Sequence, residues 1–295
     1  MADAAVVVTG AGAGYGRAMA VALAASGARV VAVDRPGHDS EPGLQATVEA
    51  IRAGGGTAVS VVADTSTMDG ASEATRAALD HFGSLDVLVC AASVVRPGSI
   101  LDISVEDWDA TINGTLKSAF TCVREASIVM RQQRAGRILL TVSSLGLSRL
   151  ADASGLVAYA SASAGLAGIV RVVSKDMARY GVAVNGVDVD SATSDHQHGS
   201  PWAQPDESPS KPGEITALPL YLALHEDGAQ VTGETFLVSR ERIGVYSRYR
   251  QDITANRPGG WTVGQVQQYF AGLDAPDRLS QLTVRGYAAT KLVAR

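Results

Sequence analysis

A glycine-rich stretch near the start of the chain, residues 6–35, constrains the fold more than any other part of the sequence. It reads as a short valine strand, a turn at 9–16, an apolar helix and a second strand. Glycines occupy four positions of the turn: Gly10, Gly12, Gly14 and Gly16. Glycine lets the backbone approach a pyrophosphate closely, and the following helix directs its free N–H groups toward that phosphate. The stretch therefore predicts a dinucleotide-binding strand–helix–strand unit, with Gly10, Gly14 and Gly16 as cofactor contacts.

The second strand of this unit ends in an acid, Asp34. A carboxylate at this position accepts hydrogen bonds from the adenosine ribose hydroxyls and repels a 2′-phosphate, so it favours NAD over NADP. The next residue, Arg35, could instead pair with such a phosphate. We predict NAD as the cofactor, with NADP left open by this arginine.

Beyond this unit the sequence keeps alternating between helix and strand patterns. We predict helices at 44–53, 72–82, 105–130, 159–180 and 215–224, and further strands at 58–62, 85–90, 137–142, 183–187 and 235–238. Such alternation is typical of a doubly wound α/β fold. The expected architecture is a single Rossmann-type domain over residues 1–238, with seven strands in one parallel sheet, followed by a C-terminal extension at 239–295.

Composition narrows the class of protein. Hydrophobic residues make up 46% of the 295 residues and charged residues 19%, which is ordinary for a soluble α/β protein. No apolar run approaches the roughly 20 residues that cross a bilayer, so we expect a cytoplasmic protein without a membrane partner. Cys90 and Cys122 fall in a predicted strand and helix, and we interpret them as small buried residues rather than a disulfide.

The charge pattern argues against a nucleic-acid partner. The net charge is −5, and the nine Lys and Arg residues from position 240 onward are scattered rather than clustered. A nucleic-acid interface needs a continuous basic patch or stripe. We expect this basic tail to dock on an acidic protein surface instead.

Several segments resemble the short-chain dehydrogenase/reductase family. They are TGAGAGYG at 9–16, an acid at Asp64, GRILLTVSS at 136–144, a tyrosine on the next helix, and VTGETFLV at 231–238. The resemblance implies that Asp64 and Ala91 contact the NAD cofactor. It also implies a catalytic group of four: a tyrosine as general acid or base, a lysine four residues later, a serine and an asparagine.

The resemblance breaks in this catalytic group. Tyr159 matches the tyrosine, but the lysine position holds Ser163. Lys175 lies three helical turns beyond Ser163, roughly 18 Å away, and cannot replace the lysine. The register of the family pattern places Thr115, and not Asn113, at the asparagine position. We interpret Asn113 as a residue of the helix surface.

Two further family motifs are changed at the nicotinamide half of the expected site. The N-A-G motif reads as residues 90–92, Cys-Ala-Ala, and the P-G motif reads as Val189 and Asp190. Ser144 is the expected catalytic serine, although it lies two residues farther from Tyr159 than is usual in the family. The sequence thus predicts a preserved adenosine half and a degenerate catalytic half.

We weigh three functions for such a chain. The preferred one is a catalytically degenerate subunit that pairs, through the helices at 105–130 and 159–180, with an active relative in a heterotetramer. That assembly would act on a small-molecule alcohol or ketone with NAD, including hydroxyacyl-CoA substrates. The alternatives are an active NAD-dependent oxidoreductase that uses Tyr159 and Ser144 without the lysine, and an NAD-binding regulator without turnover.

Two segments lie outside this pattern. The segment at 191–213 is polar and proline-rich, and we expect it to form a loop or a lid at the carboxyl edge of the sheet. Its Asp195, His196 and His198 lack further spaced ligands, so we predict no metal. The extension has a helical pattern at 262–273, and we expect it to cross a subunit interface or to cover the cleft.

Overall fold

A computed structural model describes residues 3–147, 154–189, 211–246 and 262–271 of the chain. The chain divides into two units, residues 1–247 and 248–295. The first unit holds the strand–helix alternation. The described part of the second unit contains one helix, α9 (Val263–Ala271), inside the helical pattern expected at 262–273.

The first unit is built on one eight-stranded sheet in the order β3-β2-β1-β4-β5-β6-β7-β8. Its strands are β1 (Ala5–Thr9), β2 (Arg29–Asp34), β3 (Thr57–Val62), β4 (Val87–Cys90), β5 (Gly136–Val142), β6 (Val182–Val189), β7 (Thr235–Val238) and β8 (Ile243–Val245). The first seven are parallel to one another, which confirms the predicted doubly wound sheet. The strand order reverses direction at β1, and such a switch point is where doubly wound folds bind their ligands.

The count of seven strands is wrong, because β8 adds an eighth. It runs antiparallel to β7, and a tight turn joins the two, closed by the Ser239 N–H donating to the Arg242 carbonyl at 2.9 Å. Three residues with the sequence Ile-Gly-Val carry too little alternation to be recognised as a strand.

Helices cover both faces of the sheet. They are α1 (Gly14–Ala25), α2 (Ser40–Ala53), α3 (Met68–Phe82), α4 (Val105–Thr111), α5 (Ser118–Gln133), α6 (Ser144–Leu147), α7 (Val157–Ala178) and α8 (Ala217–Leu224). Alternate residues of β1 enter opposite cores: Val6 and Val8 join the core of α1, α2 and α8, and Val7 joins that of α3, α5 and α7. This alternation is the period of two that a strand imposes.

The helix predicted at 105–130 is interrupted. Between α4 and α5 the backbone forms one π-helical turn, Ile112–Lys117, which includes the expected asparagine position. Single π turns of this kind are often found at functional sites. A period of 3.6 residues does not reveal such a turn, because the apolar pattern continues through it.

Among the described helices, α7 is long and apolar enough to cross a membrane, with a mean hydropathy of 1.4. The expectation that no apolar run approaches this length is wrong for α7. The helix packs on β5 and β6, and its Leu166 and Val170 lie in the core. Cys90 and Cys122 are buried there as free thiols, as predicted, and burial raises the pKa of both.

Candidate dinucleotide and reaction site

A cavity of about 400 Å³ lies at the carboxyl ends of the strands. Each of the first six strands contributes residues at or just after its end: Gly10, Asp34, Asp64, Ala91, Ser143 and Val189. We call the part around Asp34 and Asp64 the adenosine end, and the part around Ala91, Ser143, Tyr159 and Val189 the reaction end. The two parts differ in how their polar groups are used.

The turn between β1 and α1 has no room for a side chain at Gly10 or at Gly16. Gly10 has a φ of +66°, and a Cβ on it would lie 2.7 Å from the Ala92 backbone. A Cβ on Gly16 would lie 2.1 Å from the Gly10 carbonyl oxygen. Gly14 begins α1 with a φ of +50°. The three predicted glycines therefore form a backbone cradle at a helix N-terminus, which fits a dinucleotide pyrophosphate.

Arg17 stabilises this cradle, a role that the sequence pattern does not predict. Its guanidinium donates to the Gly12 carbonyl, to the Gly43 carbonyl at 3.1 Å and to the Thr47 hydroxyl at 3.1 Å. The Thr47 hydroxyl in turn donates to the Ala11 carbonyl at 2.8 Å. Through Arg17 and Thr47, α2 holds the shape of the turn. These contacts join distant residues, so no local pattern indicates them.

The adenosine end is acidic. Each Asp34 carboxylate oxygen accepts one backbone N–H at 2.8 Å, from Gly12 and from Arg35. Each oxygen keeps a further lone pair for a ribose hydroxyl. Asp39 and Asp64 line the same end, where Arg35 is exposed. The described lining of this end therefore carries three carboxylates and one guanidinium.

At the reaction end, Tyr159 meets a different serine from the one predicted. The Ser143 side chain acts on the Tyr159 hydroxyl and lowers its pKa, and both residues line the cavity. Ser144 is instead the buried first residue of α6 and is not among the described lining residues. Ser143, and not Ser144, is placed at the cavity because the connection between β5 and α6 is tight. Ser143 is the one residue between the end of the strand and the start of the helix.

Ser163, at the lysine position, does not reach the cavity. It is 1% exposed, and its hydroxyl accepts the Ser143 N–H at 2.6 Å and donates to the Ser143 carbonyl at 2.9 Å. A Cβ on the neighbouring Gly146 would lie 2.5 Å from the Ala160 carbonyl, so α6 is pressed against α7 here. Ser163 therefore fastens the end of β5 to α7, and it brings no charge to Tyr159.

The surroundings of Tyr159 make it a poor acid and a poor base at neutral pH. Burial and the negative charge of Asp188 raise its pKa to about 12, and the hydrogen bond with Ser143 lowers it by less. Asp188 is 2% exposed, and the Tyr246 hydroxyl donates to its carboxylate. The sequence reasoning missed Asp188, although a carboxylate within an apolar strand is a recognisable signal. The expected acid, Asp190, lies outside the described residues.

Thr115, at the asparagine position, also has a structural role. Its hydroxyl accepts the Val94 N–H at 2.9 Å and donates to the Val94 carbonyl at 3.1 Å. With its proton directed to that carbonyl, the hydroxyl ties the chain after β4 to the π turn. Asn113 is half-buried in the π turn, and the described lining residues do not include it.

Ala91 lines the cavity at the reaction end. Its N–H and that of Ala92 both donate to the buried Thr9 hydroxyl at 3.2 Å. Thr9 thus fixes the chain after β4 beside the glycine turn. In the described residues, no group of three His, Cys, Asp or Glu could hold a metal ion. Asp195, His196 and His198 lie outside them, as does most of the expected lid.

Comparison with known proteins agrees with this architecture. The family model described as short chain dehydrogenase matches residues 4–200. The chain belongs to the short-chain dehydrogenase family. A crystal structure of a family member from Mycobacterium avium has a TM-score of 0.80 and 32% identity, and the alignment covers 90% of this chain and 92% of that one.

Two relatives have described activities. A 3-oxoacyl-[acyl-carrier-protein] reductase of Synechocystis is 33% identical over 237 residues, which are 79% of this chain and 94% of the relative. The (2S)-[(R)-hydroxy(phenyl)methyl]succinyl-CoA dehydrogenase subunit BbsD of Thauera aromatica is 31% identical over 240 residues, 79% of this chain and 93% of the relative. Membership of this oxidoreductase family, which typically binds NAD or NADP, is therefore established by fold and sequence together.

Proposed function

We propose that this chain is an NAD-binding, catalytically degenerate subunit of a short-chain oxidoreductase. The observation that carries the proposal is Ser163. At the position where the family has a lysine, a neutral hydroxyl donates its one proton to the Ser143 carbonyl and accepts the Ser143 N–H. Position 163 therefore supplies no cation to lower the pKa of Tyr159, and Asp188 acts on that pKa in the opposite direction.

The energetic consequence is large. With a pKa of about 12, Tyr159 is almost fully protonated at pH 7. Each pKa unit corresponds to about 1.4 kcal/mol, and a general acid or base works best when its pKa lies near the working pH. A tyrosine in this state can still donate a hydrogen bond to a bound molecule, but it transfers protons poorly.

The adenosine end supports NAD as the bound cofactor. The glycine cradle accommodates a pyrophosphate, and Asp34 offers acceptors for the ribose hydroxyls. Asp39 and Asp64 add negative charge around them, against the one guanidinium of Arg35. The nicotinamide, when bound, would supply or accept the hydride, while this chain's residues would hold the adenosine half.

The outer helix faces support pairing with a relative. Phe120 and Ile128 on α5 are 51% and 41% exposed, and Val172 on the neighbouring α7 is 51% exposed. Large apolar side chains grouped on adjacent helices are typical of protein interfaces. The name of the Thauera relative describes a subunit of a CoA-thioester dehydrogenase. We propose that the present chain pairs through α5 and α7 with an active family member in a heterotetramer that acts on a hydroxyacyl-CoA.

The test is to co-express the full chain with a family member that is encoded beside it and has an intact tyrosine–lysine pair. Light scattering should give the mass of a mixed complex. Tyr159→Phe in this chain should change NAD-dependent turnover by less than about twofold. The same change in the partner's catalytic tyrosine should lower turnover by about 10²–10⁴-fold, the usual contribution of a general acid or base.

A second candidate function follows from the hydrogen bond between Tyr159 and Ser143 at the cavity. This pair could polarise a substrate carbonyl in a slow, independent NAD-dependent enzyme. Turnover by the purified chain alone that is lost in both Tyr159→Phe and Ser143→Ala would establish this function. It would also overturn the proposal of a degenerate subunit.

A further inference from the structure

The two peptide groups that meet at Gly12 are held from opposite sides of the glycine turn. The Gly12 N–H donates to the Asp34 carboxylate at 2.8 Å. The Ala11 carbonyl, which belongs to the same peptide as that N–H, accepts the Thr47 hydroxyl at 2.8 Å. The Gly12 carbonyl, in the next peptide, accepts a hydrogen bond from the Arg17 guanidinium. Both peptide planes therefore have a fixed orientation.

Arg17 acts on the turn from outside the cavity. Its side chain is half-buried, and it is not among the described lining residues. The guanidinium also donates to the Gly43 carbonyl and to the Thr47 hydroxyl, each at 3.1 Å. It forms no ion pair with any residue that the structure describes. The described hydrogen bonds of this side chain thus all go to the turn and to α2.

The first turn of α2 is close to the same carbonyl. A Cβ on Gly43 would lie 2.5 Å from the Gly12 carbonyl oxygen and 3.2 Å from a guanidinium nitrogen of Arg17. A real side chain at position 43 would therefore displace the carbonyl. The Gly12 carbonyl is enclosed by Arg17 and by the backbone of α2.

The orientation of this carbonyl determines that of a neighbouring donor. A trans peptide directs its carbonyl and its N–H in opposite directions. Because the Gly12 carbonyl points to Arg17 and α2, the Ala13 N–H of the same peptide points away from them. Ala13 lines the cavity just before α1, and its N–H donates to no residue that the structure describes. A donor in this place suits the pyrophosphate of a dinucleotide.

We propose that Arg17 is a positioning residue for dinucleotide binding. It holds the Gly12 carbonyl toward α2, so that the Ala13 N–H is available to the pyrophosphate and the Gly12 N–H stays on Asp34, the acceptor for the ribose. Without the guanidinium, the flexible glycine peptide is free to rotate and to present its carbonyl oxygen to the phosphate, which repels it. The inference rests on the proposed NAD binding.

Isothermal titration of the full chain with NAD⁺ and with ADP-ribose tests this inference. Arg17→Met removes the guanidinium and keeps an unbranched side chain. We expect both molecules to bind at least about tenfold more weakly, because hydrogen bonds from a charged donor are lost. The losses should be equal, since ADP-ribose contains the adenosine and the pyrophosphate and lacks only the nicotinamide. Arg17→Lys keeps a cation that can donate to the Gly12 carbonyl, and it should recover part of the affinity.

Arg52→Met is the matched control. Arg52 lies on α2 and also donates to a backbone carbonyl, that of Ala58, at 2.8 and 3.2 Å. It has no contact with the glycine turn among its described hydrogen bonds. Its loss should change the NAD⁺ dissociation constant by less than about twofold, as expected for a distant, independent site.

A double-mutant cycle separates positioning from general stabilisation. Arg17 and Asp34 hold the peptide groups of Gly12 from opposite sides, so their effects on NAD⁺ binding should not be independent. Asp34→Ala should weaken NAD⁺ binding at least about threefold less in the Arg17→Met background than in the wild-type background. A role of Arg17 in stability alone would leave the two effects independent.

The outcomes separate the inference from the function on which it rests. A folded Arg17→Met variant that binds NAD⁺ within about twofold of the wild type, or independent effects in the cycle, would overturn the inference and leave the NAD site standing. If the wild-type chain binds neither NAD⁺ nor ADP-ribose, the proposed NAD binding fails as well.

A second variant decides the question if Arg17→Met does not fold. Gly43→Ala keeps Arg17, and its Cβ displaces the Gly12 carbonyl from its place against α2. We expect this variant to bind NAD⁺ and ADP-ribose more weakly than the wild type. Binding as tight as that of the wild type would overturn the inference.

Discussion

At the adenosine end of the cavity, polar groups face the space that a dinucleotide would fill, whereas at the reaction end they bond to one another. Asp34 keeps free lone pairs beside the glycine cradle. Ser163 and Thr115, at the family's lysine and asparagine positions, each donate their hydroxyl proton to, and accept an N–H from, the backbone of Ser143 and Val94. The comparison shows that substitution of catalytic residues need not leave an empty site, because small hydroxyls have become part of the framework.

The two ends can diverge because different elements support them. The adenosine end depends on β1, α1, β2 and α2, which Arg17 and Thr47 tie together. The reaction end depends on β5, α6, α7 and β6, where Ser163 and Gly146 set the packing. Changes in the second group leave the first intact, so binding and catalysis are separable in this fold.

The largest effect is expected at the glycine cradle, because NAD binding at the adenosine end depends on it. Gly10→Ala forces a non-glycine residue to a φ of +66° and a Cβ to within 2.7 Å of the Ala92 backbone. Positive-φ strain and overpacking each cost about 1–3 kcal/mol. We expect a loss of roughly 2–6 kcal/mol in the free energy of unfolding, measured with denaturant, and no NAD binding.

Gly213→Ala is the control for this change, because a Cβ there meets nothing within 4 Å. It should alter the free energy of unfolding by less than about 0.5 kcal/mol. Normal NAD binding by the Gly10→Ala variant would show that the glycine cradle is not needed to hold the cofactor.

A smaller loss is expected where a catalytic position has become structural. Ser163→Ala removes two hydrogen bonds and leaves the Ser143 N–H without its partner. Leaving a buried donor unsatisfied costs about 1–3 kcal/mol, so we expect about 2 kcal/mol by denaturant unfolding. Ser161→Ala, an exposed position on the same helix, should cost under about 0.5 kcal/mol. Equal effects of the two changes would show that the Ser163 contacts do not stabilise the fold.

The smallest effect concerns the choice of cofactor. We expect NADP⁺ to bind at least about tenfold more weakly than NAD⁺, or about 1.4 kcal/mol, because the acids outnumber Arg35. Asp34→Ala should lower the ratio of the NADP⁺ to the NAD⁺ dissociation constant, and Arg35→Ala should raise that ratio by less than about threefold. Displacement of bound NAD⁺ by NADP⁺ measures this ratio for both variants. Equal affinities of the wild-type chain for NAD⁺ and NADP⁺ would show that the charge of Arg35, and not that of Asp34, determines the choice of cofactor.

The sequence predicts the adenosine end well and the reaction end less well, for a physical reason. The glycine turn and Asp34 are local features, so spacing and periodicity locate them. The choice between Ser143 and Ser144 depends on a tight strand–helix connection, and the roles of Arg17 and Asp188 depend on contacts between distant segments. The strand β8 is too short to be recognised by pattern, yet its hairpin carries Tyr246 to Asp188.

The ionisation of Tyr159 tests the central claim most directly. Tyrosine ring carbons labelled with ¹³C can be followed by NMR from pH 6 to 12, with Tyr159→Phe to identify the resonance. A raised pKa means that the phenol stays protonated to higher pH, so the account predicts a neutral Tyr159 through pH 10 and half-ionisation near pH 12. Half-ionisation at or below pH 9 would show that another group replaces the lysine, and would contradict the degenerate reaction end.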